Sequence, residues 1–482
     1  MKRYFAIGAA WTAAAAWLEQ AFNFVIFLAI ARLIGTESFG LASMALAFVL
    51  LGEFLVRDTL TEGIVERRDL EGAALEATFA ALVGLGLAVS AVLVLTAPLV
   101  AGIYNAPLVT ALIIAACPAI LLIALSGVST ALLRRQMAFR SLALRTVAGV
   151  IAGGAVGIYL ALEGHGAWSL VGQRLAAITL DSLLSILAAG WWPKRLPRRA
   201  EFDRIGGLGP RVVVLHASTL VKMQTPAVAL GVAIGPHAVA VYALAWRLVE
   251  VLLKLVVVPL RSVAQSAIAV MRRRNIPTAG FFVEVNEVAA LASFAALAGL
   301  ALVAQPAIEV LFGPDWRETA DILPWIGLAG AMIGLAEVQE SYLMAIDRIR
   351  RIIGLVILET IFGIAIIAIA STHGALAASV ALAVRAALFL VPKTLASLAP
   401  ESIPVARYAR SLWVPVLAGS GMAMAVALWR SLAAGRMHDA VFLAGAVAIG
   451  MVSFAIILVF LMPDAIVRLR SFVETDNRNV EG

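Results

Sequence analysis

Apolar runs of roughly twenty residues, parted by short polar breaks, recur along the chain, and each is as long as a helix needs to cross a bilayer. Six centre near Val25, Ala47, Leu87, Ile120, Ala152 and Leu175. Six more centre near Leu220, Val249, Leu297, Met332, Ile364 and Ala383, and two near Met422 and Gly450. The pattern predicts an all-α integral membrane protein with about fourteen transmembrane helices.

The polar breaks carry a second pattern. With the N-terminus (Lys2, Arg3) taken as cytoplasmic, alternate breaks hold Arg67-Arg68, Arg134-Arg135 with Arg140, and Lys194 to Arg204. The same side then holds Arg272 to Arg274, Arg348 to Arg351, Lys393 with Arg407 and Arg410, and finally Arg468 and Arg470. The opposite side holds little beyond Arg32, Arg317, Arg430 and Arg436. This is the positive-inside asymmetry, and it predicts that both termini are cytoplasmic. The segment after Lys2-Arg3 lacks a short apolar core with a cleavage site, so it is expected to be a retained first span.

A repeat organises the spans. Ile34-Gly35 matches Ile234-Gly235, and Leu41–Val49 aligns with Val241–Val249 without a gap. Pro98 to Tyr104 resembles Pro306 to Phe312, Pro118 resembles Pro324, and Arg134-Arg135 falls where Arg350-Arg351 does. His165-Gly166-Ala167 recurs as His373-Gly374-Ala375. Copies six spans apart insert with the same orientation, so these are parallel repeats. Expected are an N-terminal six-helix bundle (1–190), a basic cytoplasmic linker (191–207) and a C-terminal six-helix bundle (208–396) around a central cavity, then two further spans and a short tail (397–482).

Composition agrees with the pattern. The chain has 482 residues, 62% hydrophobic and 14% charged, against about a quarter charged in soluble domains. The net charge of +7 is explained by loop placement and calls for no nucleic acid. One cysteine, Cys117, allows neither an intramolecular disulfide nor a cysteine metal site. No Gly-rich phosphate loop, Ser/His/Asp arrangement or long soluble loop is visible, which argues against an ATPase or other enzyme and against a bound cofactor.

Charges inside the spans are where chemistry is expected, because each costs at least ~3 kcal/mol at mid-bilayer unless compensated. Arg247, Lys254 and Arg261 recur every seven residues in span eight, with Glu250 between the first two, forming one stripe. Span two holds Glu53, Arg57 and Asp58, with Glu53 and Arg57 spaced for a local pair. Span six has Arg174 and Asp181 on one face, and span seven has Lys222 before Pro226. Glu337 and Glu340 share a face in span ten, with no base near them in that span. Candidate substrate contacts are therefore Arg57, Arg174, Lys222, Arg247 and Lys254. Candidates for coupling to a proton or Na⁺ gradient are Glu53, Asp181, Glu250, Glu337 and Glu340. Glu359 and Arg385 are weaker signals.

Several of these stretches also resemble a known family. ARLIGTESFGLASMALAF with the later VERRDL, LLRRQMAFRSLALRTV, GHGAWSLVGQRL and VAIGPHAVAVYALAWRLVEV are similar to segments of the Wzx-type polysaccharide flippases. These belong to the multidrug/oligosaccharidyl-lipid/polysaccharide exporter superfamily, and the likeness covers roughly residues 5–400. The resemblance implies a bacterial inner membrane protein that moves undecaprenyl-diphosphate-linked oligosaccharide between leaflets by alternating access. The implied pathway is exopolysaccharide, O-antigen or capsule synthesis, beside a polymerase and export machinery. The chain departs from the family pattern where Pro226 and Val232 stand in place of an acidic and a basic residue. A drug/cation antiporter of the same superfamily, a lipid II flippase and a membrane-embedded transferase are the competing readings.

Overall fold

The structure, a computed structural model, describes residues 2–59, 64, 72–204, 210–433 and 438–461, and for side chains it excludes 2–16, 58, 59, 139, 200, 203, 204 and 210–217. Arg67, Arg68, Arg436, Arg468 and Arg470 lie outside the described residues, as do the side chains of Asp58, Arg204 and His216. Every described element is helical. In chain order α1 spans Lys2–Thr59, α2 Gly72–Ile103, α3 Leu108–Ala116, α4 Pro118–Arg135, α5 Phe139–Leu162, α6 Trp168–Ala189 and α7 Pro210–Ala233. They are followed by α8 Pro236–Arg273, α9 Ala279–Leu302, α10 Ala304–Leu311, α11 Arg317–Ala345, α12 Arg350–Ser371, α13 Ala375–Leu398, α14 Val405–Ala433 and α15 Asp439–Leu461.

Eleven of the described helical stretches are long and apolar enough to cross a membrane. One of them, Trp17–Arg57, is two helices joined at Gly35, whose φ of 71° and ψ of 176° only glycine adopts readily. With α7 and α8, both longer than twenty residues, this gives the fourteen membrane helices that the hydropathy pattern predicts. Outward-facing Leu95, Leu99, Met424 and Phe460 are each more than 60% exposed, as residues against lipid tails should be. The protein is a multi-pass, all-helical membrane protein.

The chain divides into two compact units, Met1–Ala243 and Leu244–Gly482, with the division inside α8. In the first unit, α5 lies along α6. A Cβ on Gly153 would come within 2.6 Å of the Gln173 carbonyl oxygen, and Gly149 and Gly157 meet α6 just as tightly. Glycines every four residues let two membrane helices touch backbone to backbone, where dispersion and not hydrophobicity must hold them. Cys117 and Pro118 mark where α3 passes into α4; proline tolerates that place because a first-turn residue has no helical N–H bond to lose.

In the second unit, α14 and α15 pack on α9 and α10 around Val303, Ala307, Val426 and Ala446. Trp429 donates its indole N–H to the Phe442 carbonyl at 3.2 Å. Inside the same unit, Glu401 accepts the Thr278 and Ala279 amides at 3.1 and 2.6 Å, a carboxylate placed where the start of α9 is electropositive.

The repeat is written in the backbone. Left-handed residues at Gly35, Asn105, Met137, Gly166 and Gly190 recur as Gly235, Gly313, Asp347, Gly374 and Ser402. One sequence match shifts: Arg134-Arg135 closes α4, whereas Arg350-Arg351 opens α12. The breaks at Met137 and Asp347 supply the better register.

Candidate functional site

The charges inside the spans are organised by helices that bring cations to carboxylates. In the first unit, buried Glu53 on α1 faces Arg174 on α6. Arg174 Nε donates to Glu53 Oε1 at 3.0 Å, and Nη2 donates to Oε2, a two-pronged contact that a guanidinium makes and an ammonium cannot. The spacing that suggested a Glu53–Arg57 pair therefore misses the main partner, which comes from 121 residues away.

Arg174 and Asp181 share a helix face but separate partners. Asp181 takes Arg145 of α5 at 2.7 Å, and the same nitrogen donates to Ser185 Oγ at 2.8 Å. Arg145 was not legible as a site residue, since it sits only five residues past the basic break at Arg140. Its burial, with a side chain 13% exposed, sets it apart from the loop arginines. Beside this pair lies a cavity of about 40 Å³ with Arg57, Arg134, Arg145 and Asp181 in its wall, completed by Thr130 and Ser126.

In the second unit, the α8 stripe divides. Glu250 is shared by Arg247 at 3.0 Å and Lys254 at 2.8 Å, two cations on one carboxylate. Arg261 instead reaches Glu337 on α11 at 3.1 Å. Lys222 on α7, in the first unit, is half-buried and engaged with neighbours.

Glu340 has a partner the loop assignment concealed. Lys393 lies inside α13, 3% exposed, and not in a cytoplasmic break. Its ammonium donates to Glu340 at 2.9 Å and to Glu359 of α12 at 2.7 Å. Arg385, also buried, stands 3.9 Å from Glu359. Two carboxylates and two cations thus form one closed cluster between α11, α12 and α13. Gln339 continues it, donating to Thr394 at 2.8 Å and to Tyr408 at 3.0 Å.

All five coupling candidates hold a cationic side chain within 3.1 Å: Glu53, Asp181, Glu250, Glu337 and Glu340. An incoming ion must displace that side chain or protonate around it. Among the described residues, no group of three His, Cys, Asp or Glu is placed to hold a metal.

Each of the two units thus pairs charges between its membrane helices. The fold matches the lipid II flippase MurJ in its inward closed conformation with a TM-score of 0.73, at 13% identity, covering 94% of this chain and 99% of that one. An inward-facing multidrug resistance MATE family transporter of the MOP superfamily matches at 0.55, with 16% identity over 80% of this chain and 99% of that one. The chain belongs to the family described as "Polysaccharide biosynthesis protein", which matches residues 29–321. It is also similar to the lipopolysaccharide biosynthesis protein WzxC of Escherichia coli (strain K12), 21% identical over 348 residues, which is 71% of this chain and 70% of that protein.

Proposed function

We propose that the chain is a flippase that carries undecaprenyl-diphosphate-linked oligosaccharide units across the bacterial inner membrane for exopolysaccharide, O-antigen or capsule synthesis. Family membership and the MurJ-like fold support this reading. The observation that carries it is the Arg247–Glu250–Lys254 cluster, one carboxylate between two cations in a membrane helix. Two cations set on one carboxylate suit a diphosphate passing through. Arg grips phosphate oxygens in pairs, and Lys adds a mobile point charge. A drug/cation antiporter would place the surplus on the acidic side.

Passage is by alternating access, the polyprenyl tail remaining in lipid while the sugar crosses in water. A proton or Na⁺ gradient resets the carrier through one of the paired carboxylates. The test is a deletion strain of the source bacterium. Lipid-linked oligosaccharide should build up in the cytoplasmic leaflet and clear on re-expression. The Arg247→Ala/Lys254→Ala variant should insert at normal level and fail to clear it. Normal polymer from that double variant would sink the assignment of these two residues. Loss of polymer without build-up would place the protein upstream of flipping.

A further inference from the structure

The cavity beside Arg145 in the first unit shares no lining residue with the α8 cluster and has its own set of charges. Three guanidiniums, Arg57, Arg134 and Arg145, line it against one carboxylate, Asp181. The charges of Arg134 and Arg57 are near enough to repel Arg145, while Asp181 and, more weakly, Glu19 attract it. Among the described lining residues, guanidiniums thus outnumber carboxylates three to one around a space of about 40 Å³. A single water needs about 10–15 Å³ by this measure, so the space takes roughly three waters or one tetrahedral oxyanion.

The part-buried ion pair is only half used. Arg145 Nη1 serves both Asp181 and Ser185, but Arg145 Nε is buried with no hydrogen-bond partner. Asp181 Oδ1 is in the same condition. An unpaired buried donor costs free energy until something accepts from it. The open edge of a guanidinium is a two-pronged donor, which phosphate oxygens fit. Arg57 and Arg134, both more exposed, are the other cations of the lining.

We propose that the first unit carries an oxyanion site of its own, sized for one phosphate group and built from Arg57, Arg134 and Arg145. Asp181 is its internal competitor, holding Arg145 when the site is empty. This rests on the flippase reading for its purpose, which is to hold one phosphate of the lipid diphosphate, but not for its existence.

The test uses the full chain in nanodiscs of neutral phosphatidylcholine. Thermal unfolding is followed with inorganic phosphate or pyrophosphate, against chloride at matched ionic strength. A second arm replaces the free anion with a polyprenyl phosphate in the disc. Stabilisation by the free anion marks a site open to water, and stabilisation by the lipid alone marks one reached from the bilayer; either supports the site. Arg145→Gln should abolish the response. Arg57→Gln, which leaves the Arg145–Asp181 pair intact, should weaken apparent affinity on the order of tenfold, as loss of one charge-assisted hydrogen bond does. Asp181→Asn should do the opposite: it should unfold earlier without anion and gain more from phosphate than the wild type.

No response in either arm overturns the proposal. So does a response that Arg57→Gln and Asp181→Asn both leave unchanged. The flippase reading fails or stands separately, on the clearance of lipid-linked oligosaccharide by the wild-type chain.

Discussion

In the first unit, Arg145 and Asp181 meet beside a cavity, with polar atoms left over and two more arginines in its lining. In the second, Lys393 is enclosed by Glu340 and Glu359, with Arg385 completing a neutral set that is almost wholly buried. The two units break their helices at matching places, yet the Arg145–Asp181 pair borders open space and the Lys393 cluster is sealed. Backbone breaks are set by a few residues that permit a left-handed turn, so a repeat can keep them. Charge placement needs only single side chains to change. A duplicated scaffold can therefore keep its helix breaks while single side-chain changes leave a charged cavity in one half and a closed ion cluster in the other.

The largest effect should come from opening the sealed cluster. Lys393→Ala removes the cation shared by Glu340 and Glu359 and leaves Arg385 at 3.9 Å from Glu359, and breaking a buried pair costs about 3–5 kcal/mol. Thermal unfolding in nanodiscs should fall sharply and folded yield with it. Adding Glu340→Gln to Lys393→Met should recover much of the loss, since the stranded carboxylate is then removed and Glu359 keeps Arg385 beside it. An unchanged unfolding temperature for Lys393→Ala would erase the contrast between the units.

Glu53→Gln should have a smaller effect, about 1–3 kcal/mol, because Arg174 is about one-third exposed and can turn to water. The same unfolding measurement on Arg174→Gln sharpens the point. It should cost more than Glu53→Gln, since it strands the buried carboxylate and not the half-exposed cation.

The smallest effect is at the surface. Arg195 binds Glu201 at 2.8 and 3.0 Å and Glu76 at 3.0 Å, fastening the linker to α2. The Arg195 side chain, helped by the Arg198 amide, holds the Glu201 carboxyl below its ordinary value. A depressed folded value means the clasp is complete above the unfolded pKa of about 4.3 and is lost as pH falls through the lowered one. Hydrogen exchange over Lys194–Arg199 should be flat from pH 8 to 5, after correction for intrinsic rates, and rise only in stronger acid. Protection already lost at pH 6 would contradict this.

Much of this was legible in the chain. Twenty-residue apolar runs declare spans because the bilayer leaves the backbone no other solution. Ile34-Gly35 and Ile234-Gly235 declare the repeat because few residues other than glycine accept the turn. Partners across helices were harder to see. Glu53 and Arg57 looked like a pair because local spacing is visible, whereas Arg174 approaches through folding alone. Lys393 was read as a loop residue because an isolated cation near a span's end resembles a topological signal. What distinguishes it is the two carboxylates on other helices, which no window along one segment contains. Arg145 was passed over for the same reason.

Lys393 also constrains the order in which the chain can enter the membrane. Helices α11 and α12 bring Glu340 and Glu359, and the cations that answer them arrive later, on α13. Until residue 393 emerges from the ribosome, α11 and α12 carry carboxylates with half of their answer missing, and release into lipid is costly. The insertion machinery must shelter these two helices until the third can join them, so that α11, α12 and α13 leave it as one piece.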